Sequence, residues 1–318
     1  MTLTRRQQQL LWLSVGLSAA GYLVFALWSG WQDVLHAVQR IGFWPIAVSL
    51  LLSLGNYLLR GERWALYLRQ DRHPLPRLLN QRIYFAGFAL TTTPGKAGEL
   101  IRSLFLRPYG VQYHHSAAMF FSERLADLVA IVVLTALGLT HLHQGEVYFL
   151  LLVAALLAGL LLLRTRWPEQ LLRRLAGGTR KGLQWLAEVA ASSRPFWRGR
   201  LLWQAQGLSL VAWLAEGFGA WLVLRSLMPD IPLSLALFIY GFAMLVGALS
   251  FLPGGLGGTE ATMTGLLVLQ GMALPEAVAA TVVIRLATLW FAVVLGLFAV
   301  LSLPTQPGVP QPVREETS

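Results

Sequence analysis

Long apolar runs alternate with short polar stretches along the chain, and most of the runs are long enough to cross a membrane. Uninterrupted apolar segments fall near 10–28, 43–62, 116–140, 147–164, 201–224 and 276–303. A hydrocarbon core about 30 Å thick needs roughly 20 apolar residues in a helix, so each segment predicts one full span. Two more apolar stretches, near 83–107 and 233–271, are interrupted by Pro-Gly. Irregular backbone at membrane depth is tolerated where protein or a cavity surrounds it, so these stretches predict broken, re-entrant helix pairs.

The two halves of this pattern resemble each other. At an offset of 156, Gly61 matches Gly217, Arg69 matches Arg225, Pro76 matches Pro232, and Ile83-Tyr84 matches Ile239-Tyr240. After a short insertion, Pro94-Gly95 meets Pro253-Gly254, Gly98 meets Gly257, Glu99 meets Glu260, and Gly110 meets Gly271. RLADL at 124–128 then meets RLATL at 285–289, and in both halves the acid precedes the arginine by 25 residues. Apolar similarity by chance explains matched leucines but not this ordered set. The chain is read as a repeat, about 43–140 and about 201–303.

Composition agrees with a membrane protein. Hydrophobic residues make up 56% of the 318 and charged ones only 13%, against about 25% charged in soluble domains. The fold class expected is an all-α polytopic membrane protein with about six full spans plus two Pro-Gly-broken re-entrant helix pairs in an inverted repeat. It forms one integral domain over 1–303. The absence of cysteine excludes disulfides and thiolate metal sites.

The net charge of +10 changes the picture only through its distribution. Arg63, Arg69, Arg72, Arg77 and Arg82 crowd the 63–82 connection, and nine basic residues crowd 164–200, while the predicted outer loops keep little beyond Arg40 and Arg225. Cytoplasmic loops carry such an excess, which predicts cytoplasmic N- and C-termini and calls for no nucleic acid partner. Arg5 and Arg6 before the first run, with no small-residue cleavage site, predict a retained anchor. The proline-rich tail 304–318 is expected to be disordered. The 166–200 segment mixes Trp and Leu with Arg. It suits short amphipathic helices on the inner leaflet and a solvated basic linker equally.

Ionisable residues inside predicted spans are the candidate chemistry. Arg60, Glu62 and Lys96 lie near predicted ends, where snorkelling to the interface suits them. Glu123, Arg124 and Asp127 fall within about one helical turn, a spacing that fits an ion cluster and a ligand site alike. Arg60 and Glu216 occupy nearly equivalent repeat positions, which invites a salt bridge between halves. Glu99 and Glu260 each follow a Pro-Gly break and open a predicted half-helix, where an acid caps the N-terminus and could also exchange a proton. Half-helix N-termini attract anions. With Arg124 and Arg285 near the same axis, the expected guest is a phosphate, and membrane lipids are the abundant phosphate carriers.

No Walker A sequence is present, so nucleotide-driven pumping is not expected. His114, His115, His141 and His143 fall in predicted loops without metal spacing. Neither a cofactor, a metal nor a catalytic constellation is expected.

Taken together, TTTPGKAGELIRSLFL, SERLADLVAIVVL, FLPGGLGGTEATMTGLL and IRLATLW resemble the lysylphosphatidylglycerol synthase transmembrane-region family of flippase-like membrane proteins. The resemblance runs from the second span to the last. It implies lipid handling, with Glu99, Arg102, Glu123, Arg124, Asp127, Pro253, Gly254, Gly257, Glu260 and Arg285 as the positions carried over. No counterpart of the aminoacyl-transferase domain of bifunctional relatives is expected. Thr288 stands opposite Asp127, so the two repeats are not symmetric.

Two functions are expected to compete, ahead of a third, an intramembrane lipid-modifying enzyme, for which the sequence offers no nucleophile constellation. One is a lipid translocase of a bacterial inner membrane, moving an anionic or zwitterionic headgroup through a cavity between the repeats. The other is a non-transporting scaffold that docks a soluble lipid-modifying synthase or glycosyltransferase through the 164–200 loop.

Overall fold

The computed structural model describes residues 31–138, 146–177, 180–250 and 252–303. The expected first span at 10–28, the 304–318 tail, and His141 and His143 lie outside these residues. Every regular element among them is helical.

Helix α1 (Trp31–Ile41) is followed by α2 (Phe43–Gln70), which carries Pro45 in its first turn, where no intrahelical N–H is needed. Next come α3 (Arg77–Phe88), a 3-10 segment (Pro94–Ile101), α4 (Arg102–Leu106) and α5 (Tyr113–Ala136). α6 (Glu146–Leu163), α7 (Trp167–Ala176) and α8 (Lys181–Ser193) lead to α9 (Gly199–Leu227) and α10 (Leu233–Leu249). A second 3-10 turn (Pro253–Gly255) precedes α11 (Gly258–Leu269). α12 (Leu274–Arg285), a π-helical turn (Leu286–Trp290) and α13 (Phe291–Ser302) form one continuous rod.

Among the described residues, three helices are long and apolar enough to cross a membrane: α2, α9 and the Leu274–Ser302 rod, of 28, 29 and 29 residues. At 1.5 Å per residue each is about 42 Å long, more than the roughly 30 Å core. α6 and α7 add a fourth span only if the pair is counted as one, and it bends by 75°. Both Pro-Gly stretches do break their helices. The 63–82 connection is not all loop. α2 continues through it to Gln70, and Arg63 is fully buried rather than facing the cytoplasm.

The offset of 156 recurs as geometry. α2 starts at 43 and α9 at 199; α3 starts at 77 and α10 at 233. Pro76 and Pro232 are extended residues at the start of α3 and α10. Gly61 lies against the Gln81 side chain, and Gly217 lies against Leu237 at the same offset. Gly110 and Gly271 take nearly the same left-handed backbone, with φ of 89° and 90°.

α2 and α9 pack along each other in opposite directions. Ser49 Oγ donates to Gly219 O at 2.9 Å, Asn56 Nδ2 to Ala212 O at 2.8 Å, and Arg63 to Ser209 Oγ, so the partner number falls as the α2 number rises. Each half also reaches into the other. α13 packs on α3, with Gly296 against the backbone of Phe88 and Ala89, and α5 packs on α10, with Thr135 against Gly241. The two 3-10 breaks touch where the halves meet, Gly254 lying beside Thr92.

Candidate functional site

Seven charged side chains converge beneath the first break. α2 contributes Arg60 and Arg63, the first break region Glu99 and Arg102, and α5 Glu123, Arg124 and Asp127. Arg63 Nη1 meets Asp127 at 2.7 Å, Arg60 Nη2 meets Asp127 at 3.0 Å and Glu123 at 3.3 Å, and Arg102 bridges Glu99 at 2.6 Å and Glu123 at 2.7 Å. Arg124 reaches Glu123 at 2.8 Å, Asp127 at 3.2 Å and Glu99 at 3.5 Å. Arg102 also lies 4.1 Å from the Tyr84 ring centre, and the Tyr84 hydroxyl donates to Glu123. Four guanidinium groups face three carboxylates, so the cluster keeps one excess positive charge. Removing one partner from such a buried set costs about 3–5 kcal/mol, and the network therefore locks α2, α5 and the first break together.

The corresponding acid in the second half pairs with Arg285. Glu260 Oε1 accepts from Arg285 Nε at 2.6 Å, and Arg285 Nη2 donates to Gly254 O at 2.8 Å. The acid and arginine spaced by 25 residues are thus within ion-pair reach in both halves, as Glu99 with Arg124 and as Glu260 with Arg285. Glu260 also caps α11, accepting the Gly257 N–H at 2.7 Å. The glycines make this possible, because Gly254 and Gly257 adopt φ of 61° and 82°, where a side chain would be strained.

Glu99 does not play the matching part. It sits inside the 3-10 segment, α4 begins only at Arg102 and is five residues long, and the Glu99 carboxylate instead accepts from Thr91 Oγ1 at 2.8 Å and from Arg102. Capping needs a free helix start, and the 3-10 winding removes it.

Two further expectations are corrected. Arg60 is 4% exposed and does not snorkel, and it pairs with Glu123 and Asp127 rather than with Glu216. Glu216 accepts instead from the Tyr240 hydroxyl at 2.6 Å. Glu62, by contrast, stays near the surface and pairs with Arg77 at 2.6 Å.

Between the halves lies a cavity of about 40 Å³, room for a few water molecules. Its charged lining is Arg60, Lys96, Glu216 and Arg285, and Tyr57 and Tyr240 add hydroxyls. Of the residues singled out from the sequence, Arg60, Lys96, Glu216 and Arg285 reach this lining; Glu99, Arg102, Glu123, Arg124, Asp127 and Glu260 lie in the adjoining networks. Lys96 was read, with Arg60 and Glu62, as a snorkelling end. It has φ of 56°, uncommon for a residue with a side chain, and no carboxylate within 4.0 Å among the described residues. Backbone strain of this kind costs about 1–3 kcal/mol and concentrates at functional sites. The π-helical turn adds to the same wall: Thr288 and Leu289 line the cavity, and the Tyr57 hydroxyl donates to the Thr288 carbonyl. Arg63, Tyr57, Tyr84 and Tyr240 were not singled out. The signal available for Arg63 was its spacing from Arg60, three residues on and so on the same helical face.

His114 and His115 are in the first turn of α5, not in a loop. His115 Nδ1 lies 2.5 Å from Asp71, and His114 lies 3.7 Å from Glu188. No group of three or more His, Asp or Glu among the described residues is placed to hold a metal ion.

Comparison with known proteins bears on this fold directly. A UPF0104 membrane protein of Methanothermobacter thermautotrophicus is 26% identical over 305 residues, covering 88% of this chain and 90% of the relative. One from Pyrococcus horikoshii is 22% identical, covering 88% and 93%. A second from Methanothermobacter thermautotrophicus is also 22% identical, covering 93% and 94%. The profile of the lysylphosphatidylglycerol synthase TM region matches residues 11–296, which include both helix breaks, the charge cluster and the cavity. The chain belongs to the lysylphosphatidylglycerol synthase TM region family of membrane proteins.

Proposed function

We propose that this protein is a lipid translocase that passes an anionic headgroup between leaflets through the cavity where its two halves meet. The observation that carries the reading is the cavity lining: Lys96, Arg60 and Arg285 against Glu216, at the junction of two broken helices. Lys96 is the cation in that lining without a carboxylate in reach, and a phosphate is its natural partner.

The antiparallel course of α2 and α9 supports an inverted repeat, since a parallel duplication would set corresponding helices in the same direction. Two halves related in this way can exchange inward-open and outward-open forms around one site. At about 40 Å³ the cavity is too small for a headgroup, so this is the closed form, and passage requires the halves to part. α7 supports a membrane setting in another way. It turns 75° away from apolar α6 and exposes Trp167, Leu171 and Leu175 along one face, with Arg166 and Arg174 beside them. Such a helix suits the lipid interface.

The test is translocation of fluorescent phosphatidylglycerol in proteoliposomes, read by quenching from outside. Wild type should speed it, and Lys96→Gln should slow it about tenfold or more, the equivalent of one charge-assisted hydrogen bond. Equal rates in the two proteins would remove Lys96 from the pathway. A wild type inert in liposomes that co-purifies with a soluble synthase would favour the scaffold reading instead.

A further inference from the structure

The five buried carboxylates described in the interior divide unequally. Glu99, Glu123, Asp127 and Glu260 each have at least one arginine nitrogen within ion-pair distance. Glu216 has none within 4.0 Å among the described residues; it accepts from the Tyr240 hydroxyl at 2.6 Å. Its side chain is also the one among these that lines the cavity. A buried acid with no cation in ion-pair reach is the group whose protonation state the surroundings leave open, whereas an acid locked to arginine stays ionised.

We infer that Glu216 is a proton-binding site of this protein, loaded and unloaded through the cavity between the halves. A proton from water adds to a Glu216 carboxylate oxygen and removes its negative charge; release returns the same proton to water. The charged and titratable groups facing it are Tyr240 from α10, Tyr57 and Arg60 from α2, Lys96 from the first break, Asp127 from α5 and Arg285 from α12. Arg60 is committed to Glu123 and Asp127, and Arg285 to Glu260. That leaves Lys96 and Glu216 as the lining charges of opposite sign without an ion-pair partner.

An anion that settles on Lys96 screens its positive charge from Glu216 and adds a negative charge nearby, which favours the protonated acid. Proton and anion therefore bind cooperatively, and each raises the affinity of the site for the other by the same factor. This coupling rests on the translocase reading. The proton site does not.

The experiment is infrared difference spectroscopy of the reconstituted full chain, titrated from about pH 5 to about pH 9. A protonated-carboxyl carbonyl band should be present at the acid end and lost at the alkaline end. It should be absent at every pH in Glu216→Gln. In Tyr240→Phe it should persist to higher pH, because the hydroxyl that stabilises the carboxylate is gone. A band that survives in Glu216→Gln, or no titrating band in wild type, overturns the inference. In parallel, phosphatidylglycerol translocation should depend on pH in wild type and lose that dependence in Glu216→Gln. A titrating Glu216 band in a protein that moves no lipid would sustain the proton site while removing the translocase reading.

Discussion

The side-chain amide of Asn56 donates to the carbonyl oxygen of Ala212 at 2.8 Å, and the two residues stand 156 positions apart, the offset that relates the halves of the chain. Corresponding positions of α2 and α9 therefore touch where the helices cross. Asn56 is fully buried. Asn56→Ala should lower stability by about 1 kcal/mol, the usual net worth of one such bond. Thermal unfolding in detergent measures it, and an unchanged midpoint would mean that the two helices do not cross at these residues.

A second contact between halves depends on the absence of a side chain. A Cβ at Gly296 would stand 2.2 Å from Ala89 N and 2.6 Å from Phe88 C, and both are backbone atoms that cannot rotate aside. Gly296→Ala should destabilise by about 3 kcal/mol, the upper end of overpacking costs. Gly265, in α11, has nothing within 4 Å of the added atom, so Gly265→Ala should gain about 0.5–1 kcal/mol from helix propensity. Similar effects at both sites would contradict the packing of α13 on α3.

The Glu260–Arg285 pair should show strong coupling. Arg285→Met takes the arginine from the buried Glu260 carboxylate and should cost about 3–5 kcal/mol, while adding Glu260→Gln should recover most of it. Glutamine can still accept the Gly257 N–H, so the α11 cap survives in the double variant. A double-mutant cycle by chemical denaturation reads the coupling, and additive effects would show that the two side chains act independently.

The absence of cysteine makes α7 easy to probe, since any introduced thiol is unique. Leu171→Cys and Leu175→Cys, labelled with an environment-sensitive dye in liposomes, should be quenched by lipid-borne quencher. Gln170→Cys, away from the Trp167–Leu171–Leu175 line, should be quenched by aqueous iodide. Equal iodide access at all three positions would place α7 in water.

Much of this architecture was legible because apolar length and backbone breakers act locally. The runs at 43–62, 201–224 and 276–303 marked the three long helices, and Pro-Gly marked both breaks. Pairings were harder. The spacing of Glu260 and Arg285 in both halves hinted at their contact, but nothing in the chain said that Arg60 would choose Asp127 over Glu216. Such choices depend on how α2 rotates against α5 and α9. Arg60 and Arg63 were misjudged for one shared reason: distance from the end of an apolar run was taken for distance from water, and α2 extends beyond its apolar run.

The sequence by itself determined the membrane class, the two breaks, the repeat offset and the family, since these follow from hydropathy, backbone stereochemistry and ordered spacing. Only the tertiary structure decided which acids are locked by arginine, that Glu99 lies in a 3-10 turn while Glu260 caps a helix, and that Lys96 and Glu216 face one cavity. The reason is physical. Hydropathy and backbone preference belong to single residues and short windows, whereas a buried charge takes its state from partners that the fold brings from distant parts of the chain.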